Sequence, residues 1–179
     1  MTITPSNILA TVLALVLWCV PAAAQNAPLS DFAGSFQGSG VAEGRDNVYF
    51  TVTARDLDVT IKPSAAGFDI SWTTISHGTS RGQRVSRKSE TISFLASERP
   101  DVFRAATSVE PLDGEPYYWA RVAGRTLTVY AMTIAGNGAY ELTSWSRTLT
   151  RTGMDLTFRR LSDGEAVRTV RGKLVRTSP

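Results

Sequence analysis

Two arginines in this chain continue apolar stripes. In Tyr117-Tyr118-Trp119-Ala120-Arg121, the residues at period two are Tyr117, Trp119 and Arg121; further on they are Met154, Leu156, Phe158 and Arg160. An extended strand sends alternate side chains to one face, so each guanidinium prolongs an apolar surface. There it can pair bidentately with the carboxylate of an amphipathic molecule. Trp72, Trp119 and Phe158 then serve as the ligand-binding walls, with Arg121 or Arg160 at the mouth. The plainer alternative is that both arginines emerge at a rim and reach water, because burying a charge is costly.

Other reactive residue types are sparse. Beyond residue 24 the chain has one histidine, His77, and no cysteine, which argues against a zinc or copper site, since these combine several such ligands. Asp56-x-Asp58 lacks the glycine turn and closing glutamate of a calcium loop. A hydrolytic triad would need His77 as its base, but Ser76 and Ser80 near it form no nucleophile elbow. The sequence therefore suggests no metal, no cofactor and no enzyme.

The positioning elements come after a leader. Ile8 to Val20 is a short apolar run followed by Pro21-Ala22-Ala23-Ala24. It is shorter than the roughly 20 residues a membrane-spanning helix needs, and its small-x-small ending is what signal peptidase reads. Residues 1–24 are thus expected to be a signal peptide cleaved before Gln25, with residues 25–179 a single domain, periplasmic or secreted. The n-region departs from the usual pattern in having no Lys or Arg. Lipidation at Cys19 is disfavoured by the bulky Trp18 before it. No later segment is apolar for long enough to span a membrane as a helix.

All 19 basic and 16 acidic residues follow the leader, for a formal charge of +3. Residues 31–80 are net acidic and the chain from Arg147 onward is net basic. Such a field attracts anions; in an exported protein nucleic acid is a poor candidate, and lipid-like or acidic small molecules are better ones. Arginines on the solvent face of strands, keeping edges soluble, account for the same charges.

No helical period appears after residue 25. Alternation and turn signals recur about every ten residues. Phe68, Ile70, Trp72 and Thr74 share one face, opposite Leu57, Val59 and Ile61 across the turn at Pro63 to Gly67; a parity shift near Arg55-Asp56 predicts a bulge. Val85 to Leu95 and Asp101 to Ala106 follow. From Tyr117 onward, Gly124-Arg125, Gly136-Asn137-Gly138, Thr152-Gly153 and Asp163-Gly164 punctuate five strands, and Asn-Gly and Asp-Gly favour tight hairpins. About ten strands without a covering helix imply an all-β, antiparallel up-and-down barrel.

Asp31-Phe32-Ala33-Gly34-Ser35-Phe36-Gln37-Gly38-Ser39-Gly40 opens the first strand. Gly34-x-Phe36 resembles the Gly-x-Trp opening of lipocalins and other calycin barrels, a superfamily that includes fatty-acid-binding and nitrobindin-like proteins. The longer Gly34-x-Phe36-x-Gly38-x-Gly40 is similar to the nitrobindin-like haem barrels. The resemblance implies a calycin-like barrel with Phe36 plugging one end. Haem is disfavoured, since those barrels ligate iron through a histidine near the C-terminus and this chain has only His77. The Thr-Asp-Tyr segment of lipocalins is absent too.

Two functions of different class follow. The first is an exported barrel that binds a small apolar or amphipathic, anionic, lipid-like ligand. The second is a protein-interaction module, such as an exported protease inhibitor or envelope-assembly factor, contacting its partner through residues 77–88 with Arg81, Arg84, Arg87 and Lys88. The interior separates them: a cavity of a few hundred cubic ångströms favours the first, a filled barrel the second.

Overall fold

A computed structural model describes residues 25–44, 53–76 and 86–178. The leader, the residues around His77, and Arg81 and Arg84 lie outside them. Ten strands form in sequence: β1 Gly34–Gly44, β2 Thr53–Ser64, β3 Gly67–Ser76, β4 Ser86–Ala96, β5 Val102–Ala105, β6 Tyr117–Ala123, β7 Thr126–Ile134, β8 Tyr140–Leu149, β9 Gly153–Ser162 and β10 Glu165–Ser178. Each pairs antiparallel with its neighbour, and β1 pairs with β10 to close the barrel. The ring is narrowest in its pairing at β4–β5, where the ladder covers only Phe94–Ala96 and leaves the first part of β4 paired with β3 alone. Among the described residues two short 3-10 turns, Leu29–Phe32 and Pro111–Asp113, accompany the strands.

Turn chemistry sets the hairpins. At the β9–β10 turn, Asp163 and Gly164 have φ of 48° and 86°, the left-handed pair that a two-residue hairpin matching strand twist requires. The sequence places a bulge near Arg55-Asp56, and the structure differs. The β1–β2 register runs unbroken from Thr53 to Ile61, because the backbone at Arg55 and Asp56 keeps its ladders to both β1 and β3. Register shifts occur instead at Ser35/Phe36 and at Ala166/Arg168.

The two barrel ends differ. The end where β1 begins is packed solid: Phe32, Phe36, Phe68 and Phe94 are all buried, with Phe68 stacked on Phe94 at 4.9 Å and meeting Phe103 edge-on at 5.2 Å. Each such ring contributes roughly 1.5–3 kcal/mol of burial. Over Phe36 lies the Arg176 guanidinium, 4.7 Å from the ring centroid. Arg176 also donates to the carbonyls of Ala33 and Asp31, tying the last strand to the 3-10 turn that precedes the first. At Gly38 a Cβ would collide with the backbone oxygen of Lys173, so this close β1–β10 approach requires glycine.

Candidate functional site

Towards the opposite end, where β6 and β8 begin, the interior holds a cavity of about 320 Å³. Its walls come from two sides of the barrel: Leu57 and Val59 on β2, Trp72 on β3 and Glu90 on β4 face Trp145 and Arg147 on β8 and Leu156 and Phe158 on β9. Three rings form a connected aromatic surface. Trp145 lies 5.3 Å from Trp72 and 5.6 Å from Phe158, and such tilted or edge-on contacts suit the ring quadrupoles.

Arg147 is the most unusual residue of the site. It occupies the inner face of β8 between Trp145 and Leu149, opposite Leu127 on β7 and Leu156 on β9. Its side chain is 1% exposed. Among the described residues no carboxylate pairs with it: Nε has no hydrogen-bond partner, Nη1 reaches only the Trp145 carbonyl at 3.4 Å, and the guanidinium stands 5.5 Å from the Trp72 ring. Burial alone pushes its pKa down to about 9, still above neutrality. Among the described residues the cavity wall therefore holds a buried guanidinium without a carboxylate partner, a costly arrangement.

The remaining charges are partnered or near the mouth. Arg160 faces inward and lines the cavity, with Nε 3.2 Å from Glu141 Oε1 and both side chains about two-fifths exposed; an ion pair this wet contributes little to stability. Arg168 and Lys88 add cations to the lining. On the other wall Tyr118 donates its phenol proton to Glu90. Burial, then the Glu90 hydrogen bond and charge, push the Tyr118 pKa up, so this phenol is a fixed donor rather than a nucleophile. No group of three His, Cys, Asp or Glu comes together among the described residues.

Of the five residues singled out from sequence, the structure brings Trp72, Phe158 and Arg160 together around the cavity. Trp119 and Arg121 do not join them, which corrects the strand parity read for β6. The buried residues of that strand are Ala120 and Val122, so Trp119 and Arg121 point outward. Trp119 stacks on Tyr130 at 4.9 Å on the outside of the barrel, and Arg121 is exposed. Bulk misled the reading: small side chains fill the tight interior next to β6, while the large rings lie outside. A signal was available, since Tyr118, Ala120 and Val122 form an uninterrupted apolar set whereas Tyr117 and Trp119 lead to a charge. Arg147 was missed although Trp145 and Leu149 flank it at period two. Of the 77–88 segment, Arg87 and Lys88 begin β4, both exposed.

The sequence matches no protein-family model and no curated protein. Among solved structures, the chain is similar to a protein of unknown function of the DUF3598 family from Nostoc punctiforme, with TM-score 0.55 and 14% identity over 85% of this chain. It spans 50% of that protein's length. A second similarity is to an S-type phycobiliprotein lyase from Guillardia theta, with TM-score 0.39 and 11% identity, covering 84% of this chain and 91% of the other. At such identities the likeness to the DUF3598 protein concerns the barrel fold alone.

Proposed function

We propose that this barrel binds a small amphipathic acid, its carboxylate on Arg147 and its apolar part against Trp72, Trp145 and Phe158. The observation that carries the reading is Arg147: a fully buried guanidinium, facing a cavity, without a carboxylate among the described residues. Structural arginines buried in a core are normally paired, and here the missing partner is an anion of the ligand. The cavity volume falls within the roughly 300–1,000 Å³ of small-molecule pockets and supports a ligand-binding barrel over an interaction module with a filled interior. Arg160, held by Glu141, acts at the mouth. The buried Phe36 at the packed end is compatible with a calycin-like relationship. Export through residues 1–24 to the periplasm or beyond belongs to the same proposal, and intact-mass measurement of the chain's N-terminus tests it.

Binding is tested by titrating the protein with decanoate and with its methyl ester, following fluorescence of the cavity tryptophans. The acid is expected to bind at least tenfold more tightly. Equal affinities would remove the anion from the proposal; no binding of either would remove the ligand.

A further inference from the structure

The aromatic residues that do not enter the cavity form a band on the outside of the barrel. Strand register aligns Tyr117, Met132, Leu142 and Leu161 as one outward row across β6, β7, β8 and β9. Ile134 pairs with Tyr140 on the open-end side of this row, and Trp119 pairs with Tyr130 on the other. The rings pack together, Trp119 lying 5.9 Å from Tyr117 as well as flat on Tyr130. These side chains are half-buried by one another, and Tyr140 is 40% exposed. Contiguous apolar surface of this extent, rich in Tyr, Trp and Met, is typical of interfaces rather than of bare sheet faces.

The band's two edges carry opposite charge. On the open-end side stand Glu115, before β6, and Asp163, at the β9–β10 turn, both exposed. On the far side stand Arg104, the cross-strand partner of Trp119; Arg121, two residues beyond Trp119; and Arg159, next to Ser144 in the row of Tyr130. These three are exposed as well. An anionic membrane would be repelled by the acidic edge. A twofold axis through the band instead lays the acidic edge of one copy on the arginine edge of the other, so the surface is complementary to itself, as an isologous interface must be.

We propose that the outer band of β6 to β9 is the seat of a second copy of this chain, in an antiparallel dimer with apolar contacts at its centre and two equivalent sets of ion pairs at its edges. The cavity opens independently of this face, and the dimer does not rest on the ligand reading.

Sedimentation velocity from 1 to 100 µM tests it. The wild type is expected to form a dimer that weakens with salt, and Tyr130→Glu with Leu142→Glu to raise the dimer dissociation constant at least 100-fold with unchanged circular dichroism. A variant with Arg104, Arg121 and Arg159 changed to Glu should be monomeric, as should one with Glu115 and Asp163 changed to Arg. Mixed together, the two charge variants should form a heterodimer, which also shows that both are folded. A wild type that stays monomeric at 100 µM, a dimer indifferent to both charge variants, or capture of the monomer by phosphatidylglycerol vesicles would each overturn the proposal.

Discussion

The guanidinium of Arg147 stands 5.5 Å from the centre of the Trp72 ring, so among the described residues it meets an aromatic face in place of a carboxylate. A cation–π contact is worth roughly 2 kcal/mol when desolvated, less than the cost of burying an unpaired charge. Stability and binding therefore oppose each other at this position, and substitutions there separate them.

Arg147→Met removes the buried charge and keeps the side-chain stem. The variant is expected to be more stable than wild type in urea melts by about 1–4 kcal/mol, the range seen when buried charged groups give way to apolar ones. Its affinity for decanoate should fall by about 1.5–3 kcal/mol, the scale of a charged hydrogen bond, and its affinity for the methyl ester should hardly change.

The depressed pKa of Arg147 sets a pH dependence. The anion needs the protonated guanidinium and raises its pKa on binding, so the complex holds more protons than the free protein above about pH 9. Affinity for decanoate should then be flat from pH 6 to 8 and fall as pH rises through 9, with proton uptake on binding measurable by calorimetry in buffers of different ionisation enthalpy. In Arg147→Met the alkaline fall should disappear. The sign for folding is opposite: above about pH 9, where the native group loses its proton and the unfolded one keeps it, the unfolded chain binds more protons than the native one, so this group's contribution to stability rises with pH.

Packing differs between the two barrel ends, and aromatic truncations should report it. Phe36→Ala, in the solid end, should cost about 3–5 kcal/mol. Trp145→Ala, whose ring already borders empty space, should cost less. Urea melts of both variants check the order, and a larger loss at Trp145 would mean that the cavity is filled in solution.

Gly38→Ala forces a methyl group against the Lys173 backbone, which cannot retreat without opening the β1–β10 seam. The expected cost is about 1–3 kcal/mol, as for other overpacked sites. Gly136→Ala, where a Cβ meets nothing within 4 Å, should lie within about 0.5 kcal/mol of wild type. Thermal melts of the pair compare the two.

Much of this fold can be read from the chain because a barrel is specified locally. Alternation in Phe68, Ile70 and Trp72, and turns such as Asp163-Gly164, each act on neighbours in sequence, and closure follows from adding hairpins. The site is only half legible for the same reason. Met154, Leu156 and Phe158 form an unbroken inward stripe, so Arg160 is placed by what precedes it. On β6 both faces carry apolar residues, and interior space rather than ring size decides which face is inside, as the buried Ala120 and Val122 show. Arg147 looks like a surface charge by residue type. The apolar neighbours at 145 and 149 mark it as inward, and its lack of a carboxylate partner among the described residues is a property of the closed barrel rather than of any segment.

Arg176 ties the last strand to Asp31, 145 positions away, and the whole β1–β10 seam pairs residues between 124 and 143 positions apart. A chain made from its N-terminus cannot complete the ring until its last strand exists. Until then β1 keeps one unpaired edge, with its glycines bare of side chains that would block a stranger. Folding dominated by such distant pairings is slow, and a partly made sheet with an open edge invites the wrong partner. The final fourteen-residue strand is therefore the stave that makes the vessel watertight, and shortening it by a few residues would leave an adhesive ribbon in place of a container.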